Sequence, residues 1–273
     1  MTKVMPKKIT RNIENISKRK LSIQFSLDGF SFCITNSEDN IFHFSSYDFE
    51  EDISSPELAL EKIQSIFQKD EDLHHDFDSV LVIHENNLNS FVPNIYFKEE
   101  ALKSYLNYNV KTISTDFIAF DDLEKTEAKN VYVPYVNINN FLFQNFGEFE
   151  YRHHSSILVD KLIAISSDDF YFYVNVSKKS IDIVVIEHQK LSFYNSFEYY
   201  SKEDFIYYVL FVLEQLKIDP DKTPIHLLGE INKDSQLYQI AYTYIRTIDF
   251  VETSPFTKQE ELIENHSNFI LIG

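Results

Sequence analysis

The chain has 273 residues, 44% of them hydrophobic, and a formal net charge of −18. That length suits about two domains with a substantial core and excludes global disorder. No apolar run reaches the ~18 residues of a membrane-spanning helix. The start of the chain lacks the apolar stretch of a secretory signal, and one cysteine, Cys33, excludes a disulfide framework. A cytoplasmic protein is expected.

The first twenty residues hold seven basic side chains (Lys3, Lys7, Lys8, Arg11, Lys18, Arg19, Lys20) and one acid, Glu14. The rest carries 18 basic and 42 acidic residues, a net −24 that repels phosphate backbones. Nucleic-acid binding by the folded body is therefore not expected. Residues 1–20 are expected to form a poorly ordered basic arm, able at most to touch RNA or an acidic surface. Deleting Met1–Lys18 should then leave the thermal midpoint nearly unchanged, because the arm has little apolar surface to bury.

Leu21, Ile23, Phe25 and Leu27 alternate with polar residues, which predicts a half-buried strand. Asp28-Gly29 predicts a hairpin, since both residues tolerate positive φ. Phe30, Phe32 and Ile34 form the next alternation, and Ile41–Phe44 follows the turn Asn36–Asn40. The first helix opens with Ser55 as N-cap and Pro56, and turns Leu60, Ile63 and Phe67 toward the sheet. After the acidic loop Lys69–Asp78, Ser79–His84 reads as a central strand. Phe97–Tyr108 reads as a helix burying Ala101, Leu102, Tyr105 and Leu106. Thr112–Phe120 and Val131–Val136 read as strands joined by a polar linker, Asp121–Asn130. A helix over Asn137–Phe146 ends at Gly147. A strand near Phe149–His153 and a helix near Ser156–Leu162 complete this half.

The pattern then returns. Strands are predicted at Phe170–Val176, Ile181–Ile186 and Leu191–Phe197, with turns at Ser177–Ser180 and Glu187–Lys190. Ser201 and Asp204 resemble a capping box opening the helix Lys202–Leu216. Pro224–Leu228 is a strand closed by Gly229, Ser235–Arg246 a helix, and Ile248–Glu252 and Phe269–Ile272 further strands. Meander, helix, strand and helix thus occur twice, which predicts a duplication with halves at 21–163 and 164–273.

This tandem order resembles the actin-like ATPase superfamily. The resemblance implies an α/β fold of two ribonuclease-H-like domains, each a mixed five-stranded sheet with flanking helices, and a nucleotide in the cleft between them. The inserted strand pair and helix near 112–146 are similar to the extra subdomain of the type IV pilus assembly member. The opening LSIQFSLDGFSFCI at residues 21–34, with LLGE at 227–230, resembles the uncharacterised bacterial family called domain of unknown function 3822.

The nucleotide motifs of the superfamily are degenerate here. Its first phosphate loop reads Asp-x-Gly-(Thr/Ser); this chain has adjacent Asp28 and Gly29, and Phe30 where a small hydroxyl residue belongs. Its second reads Asp-x-Gly-Gly-Gly-Thr-x-Asp; this chain has Asn175-Val176-Ser177-Lys178-Lys179-Ser180-Ile181-Asp182, so only Asp182 matches. Of the paired glycines of the adenosine motif, Gly229 remains and Glu230 follows. A phosphate cradle needs backbone N–H groups presented without Cβ obstruction. The expectation is that Asp28, Gly29, Asn175, Ser177, Asp182 and Gly229 mark the degenerate positions of a nucleotide site that the chain has lost or never had, without a cofactor, a metal or a catalytic residue.

Other candidates read as structural. The adjacent pairs His74-His75 and His153-His154 would point to opposite faces of a strand and cannot share a metal. His84, His188 and His226 stand singly, and Cys33 reads as a buried small apolar residue. The acid-rich stretches Asp48–Asp52 and Asp70–Asp78 lack the glycine of a calcium loop. The function expected is a non-catalytic scaffold with a protein partner or self-association, with the tyrosine-rich stretch Tyr194–Tyr208 as the candidate contact surface. The alternatives are a divergent ATPase or kinase and an RNA adaptor acting through the arm.

Overall fold

The computed structural model describes residues 7–10, 18–49, 53–123, 125–251 and 266–272. Residues 1–6 and 11–17 of the basic arm, 50–52 of the first acid-rich stretch, Glu124 of the expected linker and Glu252 lie outside the described residues. The chain divides into two compact units, one of residues 1–122 with 128–156, the other of residues 123–127 with 157–273.

The first unit runs β1 (Lys7–Thr10), β2 (Lys20–Phe25), β3 (Gly29–Thr35), β4 (Ile41–Asp48), α1 (Pro56–Phe67), β5 (Ser79–His84), β6 (Asn89–Pro93), α2 (Leu102–Leu106), β7 (Ala119–Asp122), β8 (Ala128–Tyr132), α3 (Val136–Phe146) and β9 (Glu150–His153). Its main sheet has the order β1-β4-β3-β2-β5-β9. The meander strands pair antiparallel, while β2, β5 and β9 run parallel. Leu21, Ile23, Phe25, Phe30, Phe32 and Ile34 pack with Ile63 and Phe67 of α1 and Ile138 and Leu142 of α3. Ser55 caps α1 by accepting from the Leu58 N–H, and Pro56 opens it.

α4 (His154–Ile165) leads into the second unit. There β10 (Phe170–Val176), β11 (Ser180–Glu187), β12 (Lys190–Glu198), α5 (Lys202–Gln215), β13 (Ile225–Gly229), α6 (Gln236–Tyr244), β14 (Ile248–Phe250) and α7 (Phe269–Ile272) follow. The sheet order is β12-β11-β10-β13-β14. Without β1, the first sheet has the same order: third, second and first strands of the meander, then two parallel strands. The duplicated sequence pattern is therefore a duplicated topology of two mixed sheets with flanking helices. The capping box of α5 is present, with Ser201 and Asp204 bonding each other's backbone.

Several expectations are corrected. The first main sheet has six strands, because Lys7–Thr10 of the supposed arm pairs antiparallel with β4. The insertion begins at Asn89 and forms its own sheet, β6-β8-β7. Asn89–Pro93 escaped notice because it holds an asparagine and a proline; β6 is an edge strand, where proline costs little. Most of Thr112–Phe120 is not strand, and the expected linker supplies parts of β7 and β8. Val131–Val136 splits between the end of β8 and the start of α3. Phe97–Tyr108 holds only one 3-10 turn, Glu99–Ala101, and the short α2.

Phe269–Ile272 is helix, an ambiguity that periodicity cannot resolve over four apolar residues. Lys161 Nζ donates to the carbonyls of Phe269 and Ile270, at 3.3 and 2.9 Å, and so satisfies groups a helix end leaves open. The Asp28-Gly29 turn uses no positive φ. Gly29 is required by close approach instead, since a Cβ there would lie 3.0 Å from the Tyr47 carbonyl.

Candidate functional site

In the second unit the sheet brings four of the degenerate positions together. Asn175 pairs with Asp182 across β10 and β11, and Val176 pairs with Gly229 across β10 and β13. Asp182 is 2% exposed and Asn175 4% exposed. The Asn175 amide donates to Asp182 Oδ2 at 3.0 Å, and the Tyr194 hydroxyl donates to Asp182 Oδ1 at 2.9 Å. The one carboxylate that matches the superfamily motif is thus buried and holds protein donors on both oxygens.

The loop amides are also engaged. The Ser177 N–H donates to Ser180 O at 2.9 Å, closing a hairpin tipped by Lys178 and Lys179. Tyr199 clasps that hairpin, with its N–H on Lys179 O at 3.0 Å and its hydroxyl on Ser177 O at 2.8 Å. At the end of β13 the N–H groups of Gly229, Glu230 and Ile231 donate to His266 O, Val176 O and Gly229 O. Gly229 has φ +83°, and a Cβ on it would fall 2.2 Å from Val176 O and 2.8 Å from Asn175 Oδ1. The surviving glycine is needed by the strand beside it.

Asp28 and Gly29 lie in the first unit. The Asp28 N–H donates to Ser26 Oγ and the Ser26 N–H to Gly29 O, both at 3.0 Å. This turn too spends its amides internally.

Two polar clusters escaped the sequence reading. In the first, the Asp121 carboxylate accepts from the Tyr132 hydroxyl (3.0 Å), the Ser156 hydroxyl (2.5 Å) and the His153 N–H (2.8 Å). Asn130 donates to Ser155 and Ser156, and Asn89 donates to Asn130 and Ser155. Burial pushes the Asp121 carboxyl above its usual range, against these donors. The network fastens the inserted sheet to the end of β9. His153 ends β9 and His154 begins α4, with ring centroids 4.5 Å apart, so the pair does not face opposite sides of one strand as expected.

In the second cluster, His43, Asp70 and Asp72 offer ligand atoms within 4.8 Å of one another, a spacing that could hold a metal ion. The cation present is the Lys8 ammonium, 2.8 Å from Asp70 Oδ2, and the Tyr47 hydroxyl donates to the same oxygen. Burial alone would raise the Asp70 carboxyl, but Lys8 and Tyr47 more than reverse this and hold it below its usual range. His43 Nδ1 lies 3.3 Å from Asp72 Oδ2. The cluster therefore ties β1 to the first sheet. Lys8→Met should lower the midpoint by a few degrees, from a loss of about 1–2 kcal/mol discounted for the exposure of Lys8. An unchanged midpoint in a denaturation scan would restore the expectation of a dispensable arm. The signal was present as Lys8 and Asp70, but 62 positions separate them in the chain.

Among the described residues no helix is long and apolar enough to cross a membrane. Cys33 is buried, as expected. The tyrosines of Tyr194–Tyr208 divide: Tyr194 and Tyr199 bond inward, Tyr208 stacks on Phe197, and Tyr200 and Tyr207 are exposed.

Two mixed sheets in one repeated order, each followed by its helices, are the fold of the actin-like ATPases. A Bacteroides thetaiotaomicron VPI-5482 protein of actin-like ATPase fold and unknown function is similar over 89% of this chain and 94% of that one, with a TM-score of 0.77 and 22% identity. The PilM-PilN type IV pilus biogenesis complex is similar over 93% of this chain and 96% of that one, with a TM-score of 0.61 and 14% identity. The chain matches the family described as protein of unknown function (DUF3822) over residues 8–248, and it belongs to that family. No curated protein matches it.

Proposed function

We propose that the protein is a non-catalytic interaction or scaffold protein of the cytoplasm, built from two ribonuclease-H-like halves whose former nucleotide loops now serve packing. The observation that carries this reading is the inward use of the loop amides. The N–H groups of Ser26, Asp28, Ser177, Gly229, Glu230 and Ile231 all donate to protein acceptors. A phosphate would have to displace those bonds without a glycine-rich loop to rearrange. The similar PilM-PilN structure is a complex, which favours partner binding or self-association as the use of such a fold.

The competing reading, a divergent ATPase or kinase, draws on the fold shared with actin-like ATPases. Magnesium-ATP separates the two. A ligand at a hundredfold excess over Kd stabilises the folded state by about 2.7 kcal/mol, worth several degrees in a chain of this size. Millimolar magnesium-ATP should move the midpoint by about one degree or less on that scale. A shift of several degrees that is lost in the Asp28→Ala, Asp182→Ala double variant would establish the enzyme reading instead.

A further inference from the structure

His43, Asp70 and Asp72 reach one another from two parts of the first unit. His43 lies in β4, paired with Thr10 of β1 on one side and Ile34 of β3 on the other. Asp70 caps the 3-10 turn Glu71–His74 after α1, and its Oδ1 accepts the Asp72 N–H at 3.3 Å. Strand and turn together set one ligand atom of each residue within 4.8 Å of the other two.

We infer that this cluster binds a divalent cation of the zinc class, which enters in exchange for the Lys8 ammonium. His43 Nδ1 and Asp72 Oδ2 stand 3.3 Å apart. Two ligand atoms that each lie about 2.0 Å from a tetrahedral zinc are separated by roughly 3.3 Å, the edge of the tetrahedron. The donor set points the same way. One imidazole nitrogen with two carboxylate oxygens suits zinc, whereas calcium takes about six to eight oxygens and magnesium keeps most of its waters.

The side chains are held in place by the fold itself. The His43 ring is fully buried and stacks on Phe32 with 5.0 Å between centroids. Its Nε2 engages Ser45 Oγ at 2.8 Å, the kind of outer bond that orients metal-bound histidines. Burial lowers the pKa of the ring, which favours the neutral form that a metal takes. Asp70 is buried as well, and the Asp72 side chain, 24% exposed, gives the cluster a side open to solvent.

A cation already sits against this cluster. The Lys8 ammonium lies 2.8 Å from Asp70 Oδ2, so the buried carboxylate draws positive charge. The lysine side chain is 37% exposed, and its flexible stem lets the ammonium withdraw into water. Metal and ammonium share Asp70 and repel each other, so they compete. The exchange replaces a tie between β1 and the turn after α1 with a tie between β4 and the same turn.

The test is a set of thermal scans and calorimetric titrations on the full chain with zinc chloride. In Lys8→Met, zinc at about a hundredfold excess over Kd should raise the midpoint by several degrees. The same variant should bind zinc at least about tenfold more tightly than the wild type, because no positive charge faces the ion. The gain should vanish in the double variants Lys8→Met, Asp72→Ala and Lys8→Met, His43→Gln. Asp72→Ala alters a partly exposed side chain and leaves the core intact, and circular dichroism shows that each variant is folded. A Lys8→Met protein whose midpoint ignores zinc overturns the site. A shift that survives both second changes places the zinc on other side chains and overturns it as well. Equal zinc affinity in Lys8→Met and the wild type overturns the exchange with the ammonium.

Discussion

Gly229→Ala should lower the thermal midpoint by roughly 10 °C or more, the largest effect expected of any single methyl group added to this chain. Two costs combine at this position. The backbone sits at φ +83°, where an L side chain is strained by about 1–3 kcal/mol. In addition, the new Cβ would fall 2.2 Å from the Val176 carbonyl oxygen and 2.8 Å from the Val176 nitrogen. Both are backbone atoms of a central strand, so neither can swing aside as the end of a flexible side chain could. β10 and β13 would have to part where Val176 pairs with Gly229.

Gly147→Ala is the matched control. Gly147 also has positive φ, +74°, but nothing lies within 4 Å of its would-be Cβ. It should pay the conformational cost alone. Chemical denaturation of both variants therefore isolates the clash. Equal losses would mean that the β13 turn moves aside easily, and would count against a turn given over to packing. If the glycine were kept for a nucleotide instead, the alanine variant would lose ligand binding with only the stability cost seen at Gly147.

Stability should also fall steeply as pH drops below about 6.5, by roughly 2.7 kcal/mol per pH unit for two buried histidines together. The geometry explains why. His84 Nδ1 accepts the Tyr135 backbone N–H at 3.1 Å, so the ring proton is on Nε2, facing Asn139 Oδ1 at 3.0 Å. His153 Nε2 faces the Asn86 carbonyl at 3.1 Å, while its Nδ1 meets the Ser155 hydroxyl at 2.7 Å and the Ser155 N–H at 3.3 Å. In each ring a second proton on Nδ1 would confront a backbone N–H. Burial is the leading cause that lowers both groups, His84 to about 3 and His153 well below its ordinary value.

The sign follows from linkage. Unfolded histidine binds a proton near pH 6.5, and the folded rings do not. The stability is complete above that pH and is lost as pH falls toward the folded values. Asp121 works in the opposite sense, because its raised pKa makes the folded state hold a proton more tightly at low pH. Urea titrations from pH 7.5 to pH 5 should therefore lose about 4 kcal/mol, less what Asp121 returns. His84→Gln should remove about half of the slope. A flat profile would mean that water reaches these rings and that the polar network is open.

Where sequence and structure agree, the reason is local. Phe170–Val176 and the two strands after it alternate or run apolar over six or more residues, and the ends of each run carry turn residues. The caps of α1 and α5 are short-range hydrogen bonds whose partners lie within three residues, and both form. The insertion was harder to read. Its strands are short, polar or interrupted by proline, and they are held by hydrogen bonds from Asn89 and Asn130 to Ser155 and from Ser156 to Asp121, whose partners lie 25 to 66 positions apart. The same holds for Lys8 on Asp70. Hydrogen bonds of that range leave no periodic trace in a sequence.

By itself the amino-acid sequence determined the two-fold repeat of meander, helix and strand, the N-terminal caps, the family resemblance and the absence of glycine at 177–180, where the resembled superfamily carries a glycine-rich loop. Each depends on residue type at short spacing, which propensity and pattern express directly. Only the tertiary structure decided what the groups at these positions contact. Asp182 matches the superfamily motif by position, yet its environment is set by Asn175 from one neighbouring strand and Tyr194 from another. Gly229 looks like the remnant of a nucleotide turn, yet the Val176 carbonyl of a parallel strand is what excludes a side chain there. Burial and satisfaction of a polar group are properties of its neighbours in space, and strand pairing brings those neighbours from far along the chain.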